Sequence, residues 1–372
     1  MPVIYLFYKE NNFSVTELFV LHAIYSLIIA VLEVPSGYVA DVWGRKTALV
    51  TGTLLGSIGF FVYSQSYFFI GFVLAEVLLG IGQSLLSGAD SALLYDTLLQ
   101  QKKERNYIKV EGRITASGNF AEALAGLFVS LFVFETVRVN FYIQAGLAFL
   151  AFIVSVFLVE PTMHSKRNNP GIKDILQIVN HTLRQNRVLR DLVIFSSIIG
   201  FASLTMAWFA QPIFTEIGLP KQDFGYAWVV LNLLVAAGSL LSVKLGSVSM
   251  KKILFLLAIP LSVGFITSAF SLNLWVIVSL VIFYIIRGTA HPILKKYIND
   301  ITDSGKRATV LSIRSLVIRV IYSGFGPLLG YWSDNISLKF ALLMCGSTVL
   351  ILSLITISSV LLSMKRQPGN NS

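Results

Sequence analysis

Seven ionisable residues interrupt long apolar runs of this sequence: Glu33, Glu76, Asp90 and Glu122 in the first half, Arg287, Arg314 and Arg319 in the second. A charge at the middle of a membrane-spanning helix costs about 2.5–3.5 kcal/mol on insertion scales, so each such residue needs a partner or a function. The two halves carry opposite signs, which suits acid–base pairs that form in one state and break in another. It also suits a carboxylate that takes up and releases a proton. Arg287 and His291 stand four residues apart and share a helix face. Arg314 and Arg319 are about 140° apart around a helix and cannot face one way. Glu76, Glu122, Arg287, His291 and Arg319 are the candidates for coupling or for lining a cavity. Glu33, Asp90, Asp96, Arg113 and Arg314 are the candidates for structural ion pairs, with extension to the membrane interface as the alternative for Arg314.

Other chemistries find no residues. The four His at positions 22, 164, 181 and 291 are scattered and Cys345 is single, so neither a metal centre nor a disulfide framework is expected. His22 reads as a packing residue. No Gly-x-x-x-x-Gly-Lys-(Ser/Thr), His-Glu-x-x-His or Gly-x-Ser-x-Gly motif occurs, so nucleotide hydrolysis, an intramembrane enzyme and a cofactor are not expected.

The elements that must hold these residues follow from composition. Of 372 residues 55% are hydrophobic and 13% charged, with a mean hydropathy of +0.75, whereas soluble domains carry about 25% charged residues. A span needs about 20 apolar residues. Apolar runs between charge clusters predict helices over 14–40, 47–66, 68–98, 113–134 and 138–159. They resume over 191–214, 223–243, 252–271, 273–294, 308–333 and 338–363. This is an all-α membrane protein with eleven complete spans. Met1–Tyr8 is too short to span and reads as the last two turns of a further helix.

Loop charges orient the spans. Among the 29 Lys and Arg, three lie within spans, and only Lys9, Arg138, Lys221 and Lys339 fall in one set of alternate loops. All the others fall in the opposite set, which is therefore cytoplasmic. The C-terminus is expected inside and the start of this chain outside. The formal charge of +10 belongs to those loops, so nucleic acid is not the expected partner. The polar segment 161–190 divides a bundle over 1–160 from one over 191–364, with 365–372 as a tail. Its Ile172, Ile175, Leu176, Val179 and Leu183 follow helical spacing, as in a helix on the membrane surface or a solvated linker helix.

Between the first two complete spans the sequence reads Gly37-Tyr-Val-Ala-Asp41-Val-Trp-Gly44-Arg45-Lys46. Gly37 would let helices approach and Gly44 would permit a tight turn. Arg45 and Lys46 would hold the segment inside, and Asp41 could sit near the positive start of another helix. The stretch resembles the signature loop of the major facilitator superfamily, Gly-x-x-x-Asp-x-x-Gly-Arg-(Arg/Lys), at all five positions. A second echo, Gly330-Tyr-Trp-Ser-Asp334, falls on the opposite membrane face and reads as coincidence or weak inverted symmetry.

The resemblance implies two six-helix bundles joined by a cytoplasmic loop, and a first helix ending near Tyr8, so the sequence is expected to lack most of that helix. It implies a monomeric multi-pass protein of a bacterial inner or plasma membrane. It also implies transport of a small-molecule substrate by alternating access, with protons as a co-substrate and export of a drug or metabolite favoured. An uncoupled facilitator and an inactive or receptor-like relative remain the alternatives. Two motifs depart from the drug-exporter branch. Its fourth-helix Arg-x-x-x-Gly-x-Gly is here Glu76-Val-Leu-Leu-Gly80-Ile-Gly82, and its Gly-Pro hinge is replaced by Gly118-Asn-Phe-Ala-Glu122-Ala-Leu-Ala-Gly126. Glu122 is read as the leading proton carrier or as a partner of Arg319, with Glu76 next.

Overall fold

The computed structural model describes residues 2–87, 89–132, 136–161, 186–246, 248–270, 272–273, 275–302 and 307–366. Among them are thirteen α-helices, a single 3-10 turn and no strand. The helices are α1 (Ile4–Glu10), α2 (Val15–Trp43), α3 (Arg45–Gln65), α4 (Phe69–Leu86), α5 (Ala89–Gln100), α6 (Tyr107–Leu131) and α7 (Arg138–Val156). They continue as α8 (Arg187–Glu216), α9 (Asp223–Leu245), α10 (Met250–Phe270), α11 (Val276–Asp300), α12 (Arg307–Asn335) and α13 (Leu338–Lys365). Among the described residues eleven stretches are long and apolar enough to cross a membrane, α4 and α5 together making one of them.

Helix ends mostly fall within four residues of those expected of the sequence, but the helix expected over 113–134 starts at Tyr107, the one expected over 273–294 runs to Asp300, and two further elements differ. The run expected as one helix over 68–98 is two helices, α4 and α5. The segment expected as a loop after residue 40 is helical to Trp43: α2 runs through Pro35, as expected, and ends only at Gly44. Proline inside a membrane helix is tolerated where neighbours satisfy the freed carbonyl.

The chain divides into two compact units, one of Met1–Phe13 with Val20–Asn169, the other of Ser14–Phe19 with Pro170–Ser372. The expected joining segment and tail fall largely at 162–185 and 367–372, outside the described residues; so does the amphipathic stretch.

Lipid offers apolar helices no hydrophobic incentive to associate, so close packing of small residues does that work. In the first unit Gly52 of α3 and Gly82 of α4 face each other. A Cβ on either would come within 2.9 Å of the other's carbonyl oxygen. Gly80 lies against Ile28 of α2 in the same way. The two glycines of the Glu76…Gly82 stretch are therefore contact points of α4 with two neighbours. Short α1 is held by aromatic packing: Phe7 stacks on Phe141 at 3.8 Å between ring centroids, and Tyr63 on Phe141 at 5.4 Å. Buried Arg138 completes this end by donating to the carbonyls of Ser64 and Ser66 at 2.7 and 2.8 Å, with its guanidinium over the Tyr67 ring.

In the second unit Gly238 of α9 and Gly288 of α11 meet so closely that a Cβ on either would overlap a carbonyl of the other helix, Ile285 or Val235. Gly346 of α13 packs on Phe265 and Ile266 of α10. Buried Asp191 of α8 accepts from Ser359 and Ser363 of α13 at 2.5 and 3.2 Å. The Gly330–Asp334 echo also has a physical role within this unit. A Cβ at Gly330 would meet Thr16 at 2.7 Å, and Asp334 accepts the backbone N–H groups of Val15 and Thr16 at 3.1 and 2.7 Å. Glycine admits the helix start and the carboxylate four residues on caps it.

Candidate functional site

Three constellations gather most of the candidate residues. The first is the turn between α2 and α3. Gly44 alone separates the two helices, with φ 96° and ψ 149°, a backbone region closed to residues with a Cβ. The N–H groups of Arg45 and Lys46 that start α3 both donate to the Glu160 carboxylate, at 3.0 and 2.5 Å. The Arg45 guanidinium forms an ion pair with buried Asp96 and donates to the Ala92 carbonyl, both on α5. Helix dipole, carboxylate and guanidinium thus lock α3, α5 and the segment after α7 together at one end of the first unit. Asp96 pairs with Arg45, whereas exposed Asp90 accepts from the N–H of Ser91 and Arg113 is exposed. Glu33 is half-buried. A Cβ on Gly37 would meet nothing within 4 Å among the described residues, so the close approach expected of this glycine is not made there. The Asp41 side chain lies outside the described residues.

The second constellation surrounds Glu76, buried on α4. Its Oε1 accepts from the Tyr63 hydroxyl at 3.1 Å and the Tyr8 hydroxyl at 3.3 Å, and the two hydroxyls bond each other. His22 Nδ1 lies 3.7 Å from the same oxygen. Four helices, α1 to α4, each supply one member. A carboxylate with two phenols bonded to it and an imidazole beside it can hold a proton without exposing it to lipid, and a small approach of His22 would let that proton pass between oxygen and nitrogen. Glu122, by contrast, is exposed on α6.

The third constellation is a cavity of about 410 Å³ within the second unit, lined by Arg287 and His291 of α11, Arg314 of α12, and Ser203 of α8 and Ser239 of α9. Arg314 is buried; its Nε donates to Ser196 Oγ, so its partner is a hydroxyl and not a carboxylate. Half-buried Arg287 stands over the Tyr284 ring at 5.4 Å. Arg319 is half-buried and does not line this cavity. Among the described residues no group of three His, Cys, Asp or Glu is placed to hold a metal.

Sequence reasoning missed Tyr8, Tyr63 and Glu160. An acid inside a span implies donors around it, and tyrosines in neighbouring apolar runs were the available signal. Glu160 left none, because it binds backbone N–H groups.

The family model described as Major Facilitator Superfamily matches residues 1–327. The quinolone resistance protein NorA of Staphylococcus aureus (strain Mu50 / ATCC 700699) is 21% identical over 217 residues, 57% of this chain and 54% of that protein. Multidrug resistance protein 2 of Bacillus subtilis (strain 168) is 22% identical over 194 residues, 52% of this chain and 45% of that one. The chain thus spans about half the length of the curated relatives it matches. Among solved structures, the nucleoside transporter NupG superposes with a TM-score of 0.79 at 15% identity, covering 95% of this chain and 92% of that one. A D-xylose-proton symporter superposes with a TM-score of 0.73 at 13% identity, covering 99% and 92%. These likenesses show that the fold is that of these transporters.

Proposed function

This chain belongs to the Major Facilitator Superfamily, and from that premise we propose that it carries a small solute across a bacterial membrane by alternating access, with a proton as co-substrate. The observation that carries the coupled reading is the environment of Glu76, an acid buried in a span with two phenols and an imidazole as its partners. A proton bound there removes a charge that is expensive inside a bilayer. Tyr8, Tyr63 and His22 supply its route on and off. If one conformation of the carrier holds the proton and another releases it, a proton gradient biases the direction of solute movement. Glu122, exposed on α6, is the second candidate carrier. The segment Gly37–Lys46 serves as the gating element, with Asp41 as its acid and Arg45 tied to Asp96. Export is favoured by the similarity to proteins named for quinolone and multidrug resistance. The acid at position 76, where drug exporters carry arginine, argues for a substrate other than theirs.

The test uses the full chain in proteoliposomes with labelled solutes: a quinolone, a nucleoside, D-xylose and benzenesulfonate. At least one is expected to be exchanged in counterflow and driven by an imposed pH gradient. In Glu76→Gln the gradient-driven movement should be lost and counterflow retained. Gradient-driven movement at the wild-type rate in that variant would remove Glu76 from the coupling and pass the role to Glu122→Gln for the same measurement. Counterflow without any gradient response in the unmodified chain would favour an uncoupled facilitator.

A further inference from the structure

We propose that the cavity between α8, α9, α11 and α12 takes the anionic group of the transported solute, which makes that solute a small organic anion with an apolar body. The inference rests on the transport reading and names its substrate class. Arg287, His291 and Arg314 all line the cavity and no Asp or Glu does. Among the described residues neither arginine forms an ion pair with a carboxylate. Placing two guanidinium groups in an apolar bundle without counter-charge is unfavourable, and a bound anion would reverse that cost.

The architecture fixes these groups in place. Arg287 and His291 share one face of α11, and the contact of Gly288 with Val235 sets that helix against α9. Arg314 is oriented by Ser196 through Nε, which leaves its terminal nitrogens for a ligand. Ser203 and Ser239 add neutral donors at the wall, and Ile199, Leu204, Val235 and Ile318 form the apolar remainder. A volume of about 410 Å³ lies within the range of sites for small organic molecules. Guanidinium forks bind carboxylate, sulfonate or phosphate oxygens in pairs, and a neutral solute, though it can accept their hydrogen bonds, leaves their charge uncompensated. The same chemistry occurs on an anionic lipid headgroup, and the experiment separates the two sources.

Benzenesulfonate, a permanent anion, and benzenesulfonamide, its neutral counterpart of nearly equal shape, are titrated by calorimetry into the purified full chain in dodecyl maltoside. Saturable binding of the anion, with the amide at least tenfold weaker, is expected. Arg287→Gln should weaken anion binding about tenfold or more, the loss of one charged hydrogen-bonding partner, and Arg287→Lys should recover part of it. Arg314→Gln should do the same; because Arg314 is buried, its folding is followed by gel filtration. The comparison of anion with amide in the unmodified chain decides the matter even if both variants fail to fold. Equal binding of the two compounds, or unchanged anion binding in a folded Arg287→Gln, would overturn the proposal. So would phosphatidylglycerol that binds saturably, is released by Arg287→Gln and cannot be displaced by benzenesulfonate, since the occupant would then be a lipid. Anion binding without counterflow in proteoliposomes would uphold the anion site and sink the transport reading instead.

Discussion

At the scale of single residues, Gly44 shows how a backbone demand and a charge demand meet at one position. Its φ of 96° excludes a side chain, and a Cβ would also come within 3.3 Å of the Glu160 carboxylate that receives the first N–H groups of α3. Gly44→Ala should therefore cost about 1–3 kcal/mol, read as a lowered thermal midpoint of the purified protein; an unchanged midpoint would mean that the turn relaxes freely. The glycine and the basic pair were legible in the sequence because five spaced positions matched a known pattern. Glu160 was not, since it lies 115 residues from Arg45 in sequence and binds backbone, which any residue offers. The same asymmetry marks the Glu76 group. The acid stands out in an apolar run, whereas Tyr8 and Tyr63 look like two more of the 14 tyrosines.

At the scale of helices, hydropathy exposed all eleven stretches that are long and apolar enough to cross a membrane among the described residues, because an apolar run of about 20 residues matches the thickness of the hydrocarbon core. It did not expose the break between α4 and α5 or the continuation of α2 past residue 40 to Trp43, since neither event changes mean hydropathy. Nor did it show which glycines are contacts. Gly238 and Gly288 are the tightest pair, and the residue before Gly288 is Arg287. Gly288→Ala must push α11 away from Val235 or distort it, an overpacking cost of about 1–3 kcal/mol. Its expected signature is twofold: a lower thermal midpoint, and weaker benzenesulfonate binding although no ligand-facing side chain has changed. A variant that melts lower but binds the anion as before would show that the helix contact supports stability without positioning the cavity.

At the scale of the whole molecule, the orientation in the membrane rests on charge placement, and the chain offers a clean way to measure it. Its one cysteine, Cys345, is fully buried in α13, so thiol labels have little background to overcome. Basic residues accumulate on the cytoplasmic side because they resist translocation. The turn holding Lys102 and Lys103 and the end of α13 at Lys365 and Arg366 should thus be inside, and the turns after α8 and α12 outside. Gln101, Gln222, Asn335 and Arg366 are exposed at those four ends and can each be replaced singly by cysteine. In intact cells a membrane-impermeant maleimide should label Gln222→Cys and Asn335→Cys. Gln101→Cys and Arg366→Cys should react only after the membrane is permeabilised. The two ends of α13, near Asn335 and Arg366, make the most demanding pair, because a single helix separates a site expected outside from one expected inside. Labelling of both from the same side would mean that α13 does not cross. The reverse pattern at all four positions would invert the molecule, placing the Gly44 turn and its Glu160 and Asp96 partners on the outer face.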